Sequence, residues 1–467
     1  MAKSSDTSTS STMNTSALTI VIALVAATGG LLFGYDTGII SAALMQLMEN
    51  FHLSTFNAEI VTSAIIVGAL VGAISAGPIS DAIGRRPSVL IAAVLFIIGT
   101  AAIIFANSMT SLVICRLILG LAIGAATQIV PIYIAEIAPP ERRGSLVVAF
   151  QLAVGVGQLG SFILGFMIRN HSWRLMFGIG LVPALVLFIG MLCLPNSPRW
   201  MALKGRVMEA RQVLVRLRST KKEAEGELKE ILAYGQGHEV DGKKGYAELF
   251  SRWVRPALIV GVGVALFCQI TGINAVIYYA PTIFADVGFS QSSALLSVIP
   301  VGIAMVASIA FGGWAVDAWG RRKTMLYLLP GAIIGLLITG TMFHLGLANH
   351  GMGAWVTVFS VMAYTFFNVG SLSVGIWLIG AEVFPLSCRS QGMSLVSATH
   401  WSIDLLVSLT TLSMVKLLGA GGVFWLFAAM NFLAFCFVFY FVPETRGVSL
   451  EEIERRLRTG TFLSFKK

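Results

Sequence analysis

A ten-residue pattern occurs twice in this chain. Gly77-Pro78-Ile79-Ser80-Asp81-Ala82-Ile83-Gly84-Arg85-Arg86 returns as Gly313-Trp314-Ala315-Val316-Asp317-Ala318-Trp319-Gly320-Arg321-Arg322, and both read G-x-x-x-D-A-x-G-R-R. Asp81 and Asp317 lie about half of the 467-residue chain apart, and each copy closes one apolar run and precedes the next. Two further correspondences follow in the same order. Glu136-x-x-Pro139-x-x-x-Arg143 matches Glu382-x-x-Pro385-x-x-x-Arg389, and Pro195-x-x-x-Arg199 is loosely echoed by Pro443-Glu444-Thr445-Arg446. Correspondences in register at the same place in each half point to duplication, so the chain is expected to fold into two equivalent units.

The solvent of those units follows from composition. Hydrophobic residues make up 56% and charged residues 12%, against about 25% charged in soluble domains. A membrane span needs roughly 20 mainly apolar residues. Twelve such runs are present, at about 17–40, 57–78, 88–106, 111–134, 145–167, 174–194, 256–280, 293–316, 325–346, 355–380, 391–415 and 422–442. The 48 glycines fit close helix approach in a membrane. The expected fold is an all-α membrane protein with twelve transmembrane helices in two pseudo-symmetric six-helix bundles, 17–195 and 256–443.

Residues 1–16, rich in Ser and Thr, read as a disordered tail. The polar stretch 196–255 reads as a linker. Within it Leu203, Val207, Ala210, Val213, Leu214 and Leu217 recur at three- and four-residue spacings, the mark of an amphipathic helix. Residues 444–467 form a C-terminal tail.

The net charge of +9 does not indicate nucleic acid, because its distribution follows the membrane. If the N-terminus and alternate loops share one side, every Lys and Arg except Arg116, Arg169, Arg174 and Lys416 falls there. This positive-inside bias predicts cytoplasmic N- and C-termini and a multi-pass protein of the cell (inner) membrane. The first apolar run follows a long polar tail and lacks a convincing cleavage site, so it reads as a span rather than a signal peptide. The five cysteines are odd in number and not spaced as metal ligands; no disulfide, metal or cofactor is expected. No nucleophile-and-base constellation or phosphate-binding Gly loop followed by Lys is present, so neither an enzyme nor an ATP-driven pump is expected.

The chain resembles the sugar porter family of the major facilitator superfamily over roughly 17–455. The carrying strings are Gly30-Leu-Leu-Phe-Gly-Tyr-Asp36-Thr-Gly, the two Gly-Arg-Arg loops, Pro131-Ile-Tyr-Ile-Ala-Glu136, Pro195-Asn-Ser-Pro-Arg-Trp200, Gly272-Ile-Asn274-Ala-Val-Ile-Tyr278-Tyr279-Ala-Pro281, Glu382-Val-Phe-Pro385 and Pro443-Glu-Thr-Arg446. The Gly-Arg-Arg loop alone marks the superfamily; the ordered set is specific to sugar porters. The resemblance implies the major facilitator fold, a central substrate site and alternating access. It also implies secondary active import of a monosaccharide (pentose or hexose) or related polyol by proton symport.

Three groups of residues become candidates. At the cytoplasmic helix ends, Asp81, Arg85, Arg86, Glu136, Arg143 and Arg199 in the first half, and Asp317, Arg321, Arg322, Glu382, Arg389 and Glu444 in the second, form two mixed-charge sets suited to a gate. Arg presents a rigid fork to carboxylates and helix-end carbonyls. Asn196 stands where the family normally has Glu, so the first set is expected to be held less tightly. Within the spans, ionisable residues are costly and mark function; those singled out are Asp36, Arg116, Asp404 and the titratable His400. Pairing favours a charged carboxylate and unpaired burial a neutral one. Asp36 and Arg116, at positions the resemblance ties to proton coupling, therefore read as a proton switch, with a permanent structural ion pair as the plainer reading.

The third group lines the substrate site. Gln151, Gln158, Gln269, Asn274, Trp377 and Trp401 match family sugar ligands, Tyr278 joins them four residues beyond Asn274, and Phe33, one turn before Asp36, links them to the coupling pair. His400 and Asp404 depart from the family pattern, where Gln and Asn are usual. They are four residues apart on one helical face, within reach of a hydrogen bond to each other. They mark either an altered proton path or binding site, or a buried couple that shapes the helix. Cys268, Ser373 and Val374 are further departures. The competing functions are an uncoupled sugar facilitator, a transporter of another small polar solute such as an organic acid or cation, and a membrane sensor on the same fold. The expected partners are the solute, protons and the lipid bilayer, and the expected state is a monomer.

Overall fold

A backbone that crosses hydrocarbon must satisfy its own N–H and C=O groups, and an α-helix does this within one segment. The computed structural model describes residues 9–139, 143–237, 247–385, 387–448 and 450–464, and among them it contains helices and no strand. The first bundle holds α1 (Thr9–Asn50), α2 (Thr55–Ile83), α3 (Arg85–Ile104), α4 (Met109–Ile137), α5 (Arg143–Met167) and a sixth span made of α6 (Trp173–Gly178) and α7 (Leu181–Cys193). Three helices follow outside the spans: α8 (Pro198–Leu203), α9 (Val207–Leu217) and α10 (Lys221–Gly237).

The second bundle opens with a broken span, α11 (Arg255–Ile270) and α12 (Ile273–Asp286), followed by α13 (Gln291–Ala318) and α14 (Arg321–His344). Its tenth span joins α15 (Gly351–Asn368), a π-helical segment (Val369–Ser373) and α16 (Val374–Val383). Next comes α17 (Arg389–Phe441), of 53 residues. Straight, it would be about 80 Å long, more than twice a hydrocarbon core of about 30 Å. Gly419 within it has φ 73° and ψ 160°, so α17 is two spans joined at a sharp bend. With that division the 11 membrane-length segments become twelve spans.

The first helix begins at Thr9, so residues 9–16, expected in a disordered tail, are helical, and residues 1–8 lie outside the described residues. Outside the membrane, Ala210 and Leu214 of α9 pack with Trp200, Met201, Ala224 and Leu228 in a small core of their own. The buried Arg218 ties this core to the first bundle. It donates to the Ile137 carbonyl at the end of α4 (3.0 Å) and pairs with Glu227 (2.9 Å). After the last span, α18 (Leu450–Arg458) buries Ile453 and Leu457 against Leu249 and Val254. On its outer face, hydrogen bonds from Arg455 and Arg456 hold the Glu452 carboxyl down at about 2.

Small residues let the spans touch backbone to backbone. A Cβ on Gly34 would lie 1.9 Å from the Val154 carbonyl oxygen, and one on Gly157 would lie 2.2 Å from that of Leu31, so α1 and α5 admit nothing larger there.

The break between α11 and α12 is built differently. Gly272 takes φ 93°, a left-handed conformation that favours glycine. The Thr271 carbonyl beside it accepts from Tyr364 Oη (2.9 Å) and Asn431 Nδ2 (3.2 Å). Asn368 Nδ2 donates to Thr271 Oγ1 (3.1 Å) and Asn431 Oδ1 (3.0 Å). All four side chains are buried. This network fixes the bend that turns Gln269 and Asn274 toward each other. Asn431→Ala should therefore lower stability by about 1–3 kcal/mol, the cost of leaving buried polar groups short of partners. A reduced thermal midpoint for the purified variant in detergent would register it.

Candidate functional site

The two repeated loops share a backbone. Gly84 and Gly320 both have φ 100° and ψ 163°, in the region that disfavours a side chain. A Cβ on Gly84 would lie 2.3 Å from Asn196 Nδ2, and one on Gly320 would lie 2.4 Å from Glu444 Oε2. Asn196 and Glu444 thus occupy the same place in the two halves. Asn196 Oδ1 accepts from the amides of Arg86 (3.2 Å) and Ser197 (2.9 Å). Glu444 accepts from the amides of Arg321 (2.9 Å), Lys323 (3.4 Å) and Arg446 (3.1 Å). Both therefore cap helix starts, and Glu444 does so with a charge and one more bond.

The arginines divide the remaining work. Arg85 grips Glu136 with two bonds of 3.1 Å each and reaches Asp81 at 2.6 Å. Arg321 holds Glu382 at 2.8 Å and lies 3.6 Å from Asp317. Asp81 and Asp317 are largely exposed, whereas the glutamates are mostly buried. Arg86 donates to the carbonyls of Met191 (3.0 Å) and Leu192 (2.6 Å), and Arg322 to that of Phe439 (2.8 Å). Arg389 lies 3.3 Å from the Phe384 carbonyl. Arg199 sits in the first turn of α8, and the Arg143 side chain lies outside the described residues. Each cluster closes within its own bundle: the bonds join helices of one half and none of those named here crosses to the other.

The bundles meet over a central group of polar and aromatic side chains. Gln269, at the end of α11, places Nε2 2.9 Å from Nε2 and 3.1 Å from Nδ1 of His400, in line to donate to whichever ring nitrogen is unprotonated. Asn274 Nδ2 donates to Gln269 Oε1 at 2.9 Å across the break. Tyr278 Oη donates to Asp404 Oδ2 at 3.3 Å. Trp377 and Trp401 flank the His400 ring, each with centroids 5.5 Å away. His400 and Asp404 take partners other than each other. They share a face of α17, but the imidazole turns to α11 and the carboxylate to α12, because the broken span offers each a partner.

From the first bundle, Gln158 Nε2 donates to Thr37 Oγ1 at 3.3 Å, and Gln151 is half-buried two turns earlier on α5. Phe33 lies 5.9 Å from Trp401, ring to ring across the bundle interface. Gln158 Oε1 and Trp401 Nε1 are buried with no hydrogen-bond partner among the described residues, an acceptor and a donor available to a hydroxyl-rich ligand.

One turn beyond Phe33, Asp36 Oδ2 lies 3.7 Å from Arg116 Nη1. Both residues are buried, and neither atom is in a hydrogen bond. Arg116 is steadied otherwise, by donation to the Thr62 carbonyl (3.3 Å) and by the Phe177 ring at 5.9 Å. The carboxylate can leave its partner without unmaking a directional bond.

The in-span ionisable residues are not limited to Asp36, Arg116, Asp404 and His400. Glu59, in the second turn of α2, is fully buried. An acid so near a helix start reads as a solvated residue favoured by the helix dipole, which hides it in the sequence. Both of its oxygens are bonded to Ser413 of the other bundle, to the amide at 2.7 Å and to Oγ at 2.6 Å. Gln128, another residue without a sequence signal, bridges the bundles nearer the Gly-Arg-Arg loops, with Nε2 2.8 Å from Ser397 Oγ.

Comparison with known proteins bears on this arrangement. The family model described as "Sugar (and other) transporter" matches residues 22–457. The chain is 38% identical to a D-xylose transporter of Levilactobacillus brevis over 440 residues, covering 93% of this chain and 95% of that one. It is 37% identical to the galactose-proton symporter of Escherichia coli over 453 residues, 95% of each chain. Among solved structures, the E. coli xylose transporter in a partially occluded inward-open conformation superposes with a TM-score of 0.81 at 29% identity, covering 93% of this chain and 100% of that one.

The loop geometry ranks its residues. Glu136→Gln removes the buried anion of the Arg85 pair and should slow substrate uptake by about tenfold. Asp81→Asn, at an exposed pair, should slow it by only about twofold. Initial uptake rates at matched membrane expression test the ranking, and equal effects would contradict it.

Proposed function

The chain belongs to the sugar transporter family, and on that premise we propose that it imports a monosaccharide, a pentose or hexose, or a related polyol, by proton symport through alternating access. The observation that carries this reading is the junction at Phe33. Its ring lies against Trp401 of the central site, and one helical turn away Asp36 faces Arg116. Movement of a solute against Trp401 is thereby transmitted to the helix that bears the coupling carboxylate.

The central group suits a sugar. Neutral amides supply donors and acceptors for ring hydroxyls, and indole faces pack against the sugar C–H surface. Gln151, Gln158, Gln269, Asn274, Tyr278, His400, Trp377 and Trp401 are assigned to the solute, with Phe33 at the edge. Asp404 supports a second reading, because a buried carboxylate facing the site would also receive an amine-bearing solute. Residues 17–195 and 256–443 are the moving bodies. The Asp/Arg loops are assigned to the cytoplasmic side, together with both termini, the segment between the bundles and its latch-like Arg218 contact.

The proton step follows from the Asp36 geometry. Ionised, the carboxylate is held near Arg116 by charge alone. A proton cancels that attraction, and Arg116 keeps its bond to the Thr62 carbonyl. The first bundle can then turn with solute and proton aboard, and loss of the proton to the other side restores the pair.

Purified protein in proteoliposomes decides the matter. Uptake of labelled pentoses, hexoses, polyols and amino sugars is measured with and without an imposed pH gradient. Accumulation above equilibrium should require the gradient. Asp36→Asn should abolish it while leaving exchange across the membrane within about threefold of wild type. Gradient-driven accumulation at full strength by that variant would exclude Asp36 as the coupling group, and no gradient dependence for any solute would exclude symport.

A further inference from the structure

We propose that Glu59 and Ser413 form the latch that holds the two bundles together at the end away from the Gly-Arg-Arg loops. The inference goes beyond the symport reading and needs only that the two bundles move against each other. It starts from a buried acid whose partners are in the other half. Glu59 belongs to the first bundle and is 0% exposed. Ser413 belongs to the second and serves both carboxylate oxygens at once, through its backbone amide (2.7 Å) and its hydroxyl (2.6 Å).

The contact is one end of a seam. One turn deeper on α2, Ser63 Oγ lies 3.0 Å from Ser408 Oγ on α17. The Ser408 carbonyl in turn accepts from Tyr279 Oη at 2.8 Å, and Tyr279 adjoins Tyr278 of the central site. The seam therefore runs from the far end of the bundle interface to the solute's surroundings. Arg169 Nε, 3.1 Å from Ser292 Oγ, adds an exposed contact between the bundles at the same end. Toward the loops the interface is joined by Gln128 and Ser397.

The chemistry makes the latch two-state. A carboxylate deprived of its donors inside a protein must be met by water or it destabilises the state that contains it. The seam is thus favourable closed, with both oxygens bonded, or fully open, with water admitted, and unfavourable when partly parted. A hydroxyl pair such as Ser63 and Ser408 would not impose this choice, because neutral groups part at lower cost. The backbone amide of Ser413 adds register: it sits at a fixed height on α17 and donates to Glu59 in one alignment of the bundles.

Distances between the bundles test the latch without any substrate. Nitroxide labels are placed at Phe56→Cys and Leu417→Cys, both exposed positions near this end, in the full-length protein freed of its native cysteines and held in lipid nanodiscs. Glu59→Gln keeps the size of the side chain but loses the charge and one acceptor. It should raise the population with parted labels about tenfold. Ser413→Ala, which removes only the hydroxyl, should raise it by a smaller factor. Gln128→Ala, which breaks the bond nearer the loops, should leave it at or below the wild-type value. An unchanged distance distribution in Glu59→Gln, or an equal rise in Gln128→Ala, would overturn the latch. Should Glu59→Gln fail to fold, Ser413→Ala and Gln128→Ala decide by the same comparison.

Discussion

In hydrocarbon no solvent stands ready to take a polar group that the protein leaves unpartnered. That constraint accounts for the helices, and it also explains where the irregular features sit. The seventh span can bend at Gly272 because Tyr364 and Asn431 receive the Thr271 carbonyl. The Gly-Arg-Arg loops can turn sharply because Asn196 and Glu444 cap the amides that follow. Arg116 can lie in the membrane because Asp36, a carbonyl and an aromatic face surround it. Each of these three departures from a plain apolar helix has partners, and such partners divide into those within a bundle and those between bundles.

That division separates structure from motion. The Arg85–Glu136 and Arg321–Glu382 pairs, the caps and the Thr271 network all close within one half. They make each bundle a body that can turn as a unit. The bonds of Glu59, Ser63 and Gln128 cross from half to half, as does the Phe33–Trp401 contact. They are few, and they must break and re-form if the bundles move. The duplicated loop residues therefore serve the bodies, and the bonds that cross between the halves come from residues that are not duplicated. The central group draws on both halves: the second bundle contributes Gln269, Asn274, Tyr278, His400, Asp404 and both tryptophans, and the first contributes Gln151, Gln158 and Phe33.

Much of this was legible in the sequence because membranes simplify the code. Apolar runs of span length and a repeated loop specify helices and a duplicated architecture with little ambiguity. The loop clusters were legible as mixed-charge sets, although which carboxylate each arginine grips depends on helix ends brought together only by folding. The division of the long α17 at Gly419 falls between the expected eleventh and twelfth spans, 391–415 and 422–442. Two features were not legible. The partners of His400 and Asp404 are hidden because the four-residue spacing says which side chains share a face, not which neighbouring helix each one meets. Glu59 is hidden because its position near a helix start mimics an ordinary solvated acid, and its partner is a serine far along the chain in the other half.

The contrast between tight and loose ion pairs carries the argument to coupling. Arg85 and Glu136 meet through two directional bonds in a half-buried setting, so separating them costs geometry as well as charge. Asp36 and Arg116, more deeply buried, are held at 3.7 Å with no hydrogen bond between the facing atoms. A buried pair gains from attraction only what it does not lose to desolvation, and poor geometry leaves that balance close. A close balance is a poor way to stabilise a fold and a suitable way to build a switch, which is what the proposed coupling role of Asp36 asks of the pair. Under the proposed function, the same reasoning accounts for the pair lying one turn from Phe33. The energy available from binding a sugar is modest, and it can act only on an equilibrium that is already nearly even.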